Sequence, residues 1–340
     1  MNRVAPSTVW WSPFRGLAPG GRAGRLPIFI FHRVVERDDP LRPGEPDVER
    51  FERIVRFIVR SFRVLALPDA AQALTRGRLP AAAACITFDD GYADNVTRAA
   101  PILLRHGATA TVFVSTAYIG GARMWNDSII EAIRELPAGE VDWQAYGLGT
   151  ATIGDDASRR ALIARTLPQL KYRHPADRAA VADEIARRAG VASQSDLMMS
   201  VAQLRAWRDA GLDVGGHTMR HPILARLNDK EAADEIGGGR EQLTLWLGQA
   251  PRAFAYPNGA PTRDYGPRDA MLSRAAGYTC AVTTARGAAT PTTDPFQLPR
   301  FTPWDRSMWA FGARCAQTLV DSWRRAAPVA TQPVSEEIVS

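Results

Sequence analysis

An α/β architecture built on parallel strands is what this sequence predicts, on three observations. Short apolar runs rich in β-formers alternate with stretches of helical spacing along most of the chain. The alternation breaks once, in a mid-chain segment where helical patterns dominate. The polar residues best suited to chemistry fall at the ends of the apolar runs, and the carboxyl ends of parallel strands gather on one face. Parallel strands need crossover connections, which helices supply. With 340 residues the chain has the length of two average domains or of one elaborated barrel, and length does not choose between them.

The elements follow in order. Residues 26–32 (Leu-Pro-Ile-Phe-Ile-Phe-His) form an uncharged apolar run ending in a polar residue, a buried strand. In residues 48–61, Phe51, Ile54, Val55, Ile58 and Val59 recur at helical spacing. A strand over 62–67, a helix over 68–76 closed by Gly77 and a strand over 82–88 come next. The helix over 95–106 ends at Gly107 as a C-cap, and 109–114 is another β-rich run. From about 125 to 199 three helices are predicted (128–136, 158–167, 176–189), and the glycines and acids of 148–156 interrupt them. The segment reads as a helical insertion. Alternation then resumes with a helix over 201–210, a strand over 212–215 and a helix over 229–247. A strand over 253–256, a helix over 269–276 and a strand over 279–283 complete it. No internal repeat is visible.

Composition sets bounds on function. Hydrophobic residues make up 46% and charged residues 23%, enough apolar material for a core, so disorder as a whole-chain state is excluded. No run approaches the length of a membrane span. The net charge is +6, but arginines such as Arg159–Arg160 and Arg187–Arg188 are interspersed with acids, and no basic stripe interleaved with aromatics suggests a nucleic-acid partner. Three cysteines without Cys-x-x-Cys spacing argue against a disulfide framework. The first 26 residues lack the apolar core and cleavage site of a signal peptide, so the expectation is a flexible arm and a cytoplasmic protein. Residues 329–340 read as a disordered tail.

Three features carry chemistry. Thr87-Phe88-Asp89-Asp90-Gly91-Tyr92 sets two carboxylates side by side at a strand end, and their repulsion needs an offset. Successive side chains alternate in direction, so the two cannot do the same job. A cation on one would leave the other free to handle protons; the alternative is a pair of N-cap residues opening the helix over 95–106. His217-Thr218-Met219-Arg220-His221-Pro222 places two imidazoles four apart after a glycine-bounded strand, able to meet one cation if the segment turns. The alternative is two loop histidines. An aspartate with two histidines leaves coordination positions open, as catalytic metal sites do.

Thr-Phe-Asp-Asp-Gly, His-Thr-x-x-His and Phe254-Ala255-Tyr256-Pro257-Asn258-Gly259, in that order, resemble the polysaccharide deacetylases with the NodB homology domain, carbohydrate esterase family 4. The resemblance covers roughly residues 27 to 305. It implies an irregular (β/α)7-type barrel carrying the helical insertion, and hydrolysis of an N-acetyl group from an amino sugar. It also implies one divalent metal ion, zinc first, with cobalt, nickel or iron as alternatives. By position, Asp89 resembles the catalytic base, Asp90 the metal-binding aspartate, and His217 and His221 the metal-binding histidines. The chain then divides into an arm (1–25), the barrel (26–310, insertion about 125–199) and a C-terminal helix with its tail (311–340).

Two departures from the family pattern matter. The usual Leu-x-His near the end of the domain is absent from Gln297-Leu-Pro-Arg-Phe-Thr-Pro303, and no histidine follows His221. The branch of poly-N-acetylglucosamine deacetylases carries its acid histidine on the first strand, and Ile28-Phe-Ile-Phe-His32 resembles that segment. A barrel makes first and last strands neighbours, so one point can be reached from either end. The third feature is therefore His32, a candidate general acid; the alternative is a polar residue that merely ends a strand. The arginine usual in the third motif is also missing, and Arg300 is the candidate to keep Asp89 ionised. Trp125, Asn126 and Asp127 suit a sugar-facing loop, although Trp125 could equally plug the core. Tyr92, Tyr256 and Pro257 are candidates to line the substrate, with backbone amides near Gly91–Tyr92 or Tyr256 facing an oxyanion. Other readings of the same site are an O-acetyl esterase, a deformylase on a lipid-linked sugar, and a dead scaffold that binds carbohydrate. The partner expected in each case is an acetylated glycan or sugar precursor.

Overall fold

A computed structural model describes residues 14–192, 195–303 and 305–326. Seven parallel strands run in sequential order: β1 (Ile28–Phe31), β2 (Ala83–Phe88), β3 (Thr111–Val114), β4 (Asp213–Gly216), β5 (Ala253–Ala255), β6 (Cys280–Arg286) and β7 (Leu298–Arg300). Each pairs with the next, and the circle closes where Phe301, just past β7, donates its amide to Ile28 O and accepts from Ile30 N. The architecture is the irregular seven-stranded α/β barrel that the sequence implies.

Alternation along the strands separates the interior from the helix-covered outside. Ile28, Ala83, Cys85, Phe113, Ala253, Ala255, Val282 and Leu298 share one buried apolar cluster. The aromatic residues of the opposite faces, Phe29, Phe31 and Phe88, pack against Phe51, Ile54, Val55 and Ile58 of the helix Val48–Ser61. That helix forms because its apolar positions recur at helical spacing and Asp47 caps it, accepting from Arg50 N. The three cysteines are buried and free. No helix among the described residues is long and apolar enough to cross a membrane.

Several expectations are corrected. Residues 14–25 are not a loose arm: Phe14 is buried against Phe57 and Phe62, and Ala18 O accepts from Ala82 N. The apolar Phe14 and Ala18 have a core to enter, so this stretch is held. Residues 1–13 and the proposed tail at 329–340 lie outside the described residues. The insertion is not all helix. Between helices Trp125–Glu135 and Asp156–Lys171 lies an antiparallel hairpin, Gly139–Asp142 with Thr150–Ile153. The second helix runs through Pro168 to Lys171, beyond the end expected at residue 167. With Pro175–Arg188 these elements build their own small core around Ile129, Ile133, Leu162, Leu170 and Ile185. The run at 62–67 shortens to Arg63–Val64, a side strand pairing with β2 outside the barrel circle. Residues 95–99 take a π-helical turn before the α-helix Ala100–Arg105, beside Pro101, which has no amide to give the ladder. The C-terminal helix begins at Met308.

Candidate active site

The site sits on the carboxyl ends of β1, β2, β4 and β7. In β2 the inward face reads Ala83, Cys85, Thr87, and Asp89 follows as the chain leaves the strand. The ladder continues one step beyond the strand, since Asp89 N donates to Phe31 O at 2.9 Å. Phe31 pairs with Phe88, so His32 and Asp89 leave the barrel at the same level. From β7, Arg300 reaches across the barrel top and clamps Asp89 with two parallel bonds, Nη1 to Oδ1 and Nη2 to Oδ2, both 2.7 Å. Its Nε donates to Thr283 O at 2.9 Å, and Nη1 lies 3.3 Å from Thr87 Oγ1. The Arg300 side chain is fully buried. Burial would raise the Asp89 pKa, but the guanidinium outweighs it and holds the carboxyl below the usual carboxylate range.

Asp90 points to a different set of partners. Its Oδ1 lies 3.4 Å from His217 Nε2 and 3.5 Å from His221 Nε2, and the three ligand-type atoms all fall within 4.8 Å of one another. His217 Nδ1 donates to Ala255 O at 2.7 Å, which fixes the tautomer and leaves the Nε2 lone pair facing Asp90. Burial, opposed by Asp90, brings the His221 pKa down to about 3, so its imidazole is neutral at pH 7. Asp90 Oδ1 and His221 Nδ1 are buried without hydrogen-bond partners. One carboxylate and two imidazoles with unmet bonding capacity are a donor set that fits a zinc-class divalent cation.

The backbone here is bent to the purpose. Asp90, Thr218 and His221 all have positive φ (78°, 64° and 53°), a left-handed region that costs a non-glycine residue roughly 1–3 kcal/mol. Neighbours hold the bend: His221 N donates to Thr218 Oγ1, and Glu235 accepts from the amides of Met219 and Arg220. At Gly216, just before His217, a Cβ would sit 2.0 Å from Tyr278 Oη, so only glycine fits.

His32 is half-buried, and its carbonyl accepts from Asn95 Nδ2 at 2.9 Å. Asp94 holds the following residues through Arg33 Nε and Val34 N. Burial disfavours the imidazolium, yet the charges of Asp90, Glu45 and Asp89 outweigh it and raise the His32 pKa above its ordinary value.

Other sequence candidates are used elsewhere. Asp127 is wholly buried, ion-paired with Arg42 Nη1 at 2.8 Å, and accepts from Tyr92 Oη at 2.9 Å. Tyr92 is buried beneath the Arg33 guanidinium. Both side chains therefore bind the insertion to the barrel, and neither is within reach of a sugar. Trp125 opens a helix instead of lying in a loop; it packs in the insertion core and also lines the cavity beside the His217–His221 loop. Asn126 beside it is half-buried, its Oδ1 without a partner. Tyr256 is inside, stacked on Tyr265 at 3.9 Å with its hydroxyl on Phe296 O and its amide on Val282 O, so it has no donor left for an oxyanion. Pro257 is buried beside it. The amides of Gly91 and Tyr92, by contrast, belong to the turn that carries the chain out of β2 past Asp89 and Asp90. Sequence reasoning missed Glu45, Asp94, Asn95 and Glu235. Asp94 and Asn95 follow the Asp-Asp-Gly turn closely and could have been suspected; Glu235 looks like any acid on a helix.

The family profile described as polysaccharide deacetylase matches residues 76–144 and 155–281, more than half of the chain. The chain belongs to the polysaccharide deacetylase family. A relative from Bacillus subtilis (strain 168) that carries the family's name, YxkH, is 30% identical over 101 residues, 29% of this chain and 35% of that protein. The match therefore spans about a third of that relative's length. Among solved structures, Streptococcus pyogenes deacetylase PplD in complex with acetate superposes with a TM-score of 0.59 at 18% identity, covering 87% of this chain and 99% of that one. IcaB from Ammonifex degensii gives 0.54 at 19% identity, covering 88% and 98%. These two likenesses are of fold.

Proposed function

We propose that this protein is a metal-dependent carbohydrate N-deacetylase, removing acetyl groups from an amino sugar in a poly- or oligosaccharide or its precursor. The observation that carries the reading is the division of labour between adjacent carboxylates: Asp89 clamped by a buried arginine, Asp90 facing two imidazoles. A divalent cation held by Asp90, His217 and His221 would supply Lewis acidity toward the acetyl carbonyl and toward water, with zinc the first candidate. Asp89 acts as general base. Both of its oxygens face Arg300, and each keeps a lone pair for the proton of the attacking water. A backbone amide of the Gly91–Tyr92 turn, beside both carboxylates, stabilises the charge that develops on the carbonyl oxygen. His32, which leaves the barrel at the same level as Asp89, hands a proton to the leaving amine nitrogen as general acid.

The test is acetate release from N-acetylglucosamine oligomers by protein supplied with zinc or cobalt. Asp89→Asn should lose roughly 100-fold or more of kcat while still binding metal. Metal-loaded wild type that binds these oligomers and releases nothing would overturn the reading.

A further inference from the structure

Beside the His217–His221 loop lies a cavity of about 570 Å³, walled by the insertion on one side and the barrel on the other. Arg178, on the first turns of the insertion helix Pro175–Arg188, is only 2% exposed and lines it. A buried guanidinium normally has a carboxylate partner, because an uncompensated buried charge is costly. Arg178 has none. Nη1 lies 3.4 Å from Lys171 O, Nη2 donates to His221 O at 3.2 Å, and Nε is buried without any partner. One face of the guanidinium stacks on Trp125 at 4.8 Å, which fixes its plane.

The carboxylates that share the cavity are already committed. Glu235, whose field reaches Arg178, accepts from two backbone amides and from Arg220 Nη1. Asp234 is paired with Lys230, and Glu231 accepts from Asn228 N. The N-terminal turn of the Arg178 helix, with its positive end, borders the same space through His174, Pro175 and Ala176. The remaining walls, including Ala117, Tyr118 and Pro222, are largely apolar, as suits the faces of a sugar ring.

We infer that this cavity is a saccharide subsite for a unit bearing an anionic group, a carboxylate or a phosphate, held by Arg178 next to the metal-binding loop. The inference rests on the deacetylase reading for its choice of a saccharide, and deepens it by selecting acidic over neutral glycans.

Calorimetric binding to the full-length, zinc-loaded protein tests it. The probes are a neutral N-acetylglucosamine tetramer, a tetramer alternating N-acetylglucosamine with glucuronate, and N-acetylglucosamine with and without a 6-phosphate. Wild type should bind an acidic probe about tenfold or more tighter than its neutral counterpart, the worth of a charge-assisted bidentate contact. The glucuronate and phosphate arms tell which anion the site takes. Arg178→Gln should abolish the preference, and Arg178→Lys should keep part of it. Equal binding of acidic and neutral probes by wild type would overturn the inference, and needs no variant to fold. A preference that survives in folded Arg178→Gln would overturn it too. Acetate release, followed in parallel, separates the two readings: acidic selectivity without turnover sinks the deacetylase and leaves the subsite, while turnover without selectivity does the reverse.

Discussion

Replacing Arg300 by glutamine should damage stability and chemistry through one cause. The substitution removes both 2.7 Å bonds to Asp89 and leaves a carboxylate that is 3% exposed with no counter-charge in contact. Breaking a buried ion pair from one side costs about 3–5 kcal/mol. At ~2 °C per kcal/mol for a chain of this size, the melting temperature should fall by about 6–10 °C. The pH dependence gives the sign. In the wild type the folded pKa of Asp89 is depressed, so its contribution to stability is present above the unfolded value near ~3.9 and is lost as pH falls through the folded one. Without Arg300 burial loses its main opponent, only the weaker influence of His217 and His32 remains, and the pKa rises. The acid limb of the activity profile should then move to higher pH. The assays are thermal unfolding and kcat/KM between pH 4 and 8, with Asp89→Asn/Arg300→Gln closing a double-mutant cycle. The double variant should be more stable than Arg300→Gln, since no charge is left stranded. An unchanged melting temperature together with an unmoved acid limb would refute the assignment of Arg300 as the group that keeps Asp89 ionised.

Further predictions concern the other groups. His32→Ala should lower kcat on an N-acetyl sugar by about 100-fold or more yet spare an activated acetate ester, whose leaving group needs no proton; equal losses on both would remove His32 as the acid. As the general acid, His32 should set the basic limb of the pH profile, and a limb that persists in His32→Gln would assign it to another group. Elemental analysis should find about one equivalent of divalent metal in wild type and little in His217→Ala, as removing one of three ligands predicts. Asp127→Ala should leave Tyr92 Oη without its acceptor and Arg42 with Glu131 as its remaining close partner, loosening the insertion, so limited proteolysis should cut within 125–199 sooner than in wild type; identical digestion patterns would show that the buried Asp127 contacts do not fasten it.

What the sequence discloses about this fold follows its physical periodicities. Barrel strands announce themselves because both faces are buried, giving runs such as Ile28–Phe31 and Ala83–Phe88 with no charge in them. The site residues are visible because they stand one step past such runs, and the pairing of Phe31 with Phe88 then brings His32 level with Asp89. The insertion hairpin is hidden because most of its residues are exposed and polar, leaving no alternation to read. β7 is three residues long with a proline at its centre, and only barrel closure makes a strand of it. Tyr92, Asp127 and Tyr256 are misread for another reason. Polar side chains near a site look alike in sequence whether they face a ligand or one another, and burial decides which.

The closure of the barrel also has a consequence for how the protein is made. The groups that would hold metal are complete once His221 has left the ribosome, but the arginine that keeps Asp89 ionised lies 211 residues beyond its partner, on the last strand to be synthesised. A nascent chain, or one cut before β7, would carry Asp89 without the guanidinium that clamps both of its oxygens and holds its pKa down. Chemistry is thus withheld until the two ends of the barrel meet. Hydrolytic activity in this protein should report on completed folding more faithfully than metal binding does.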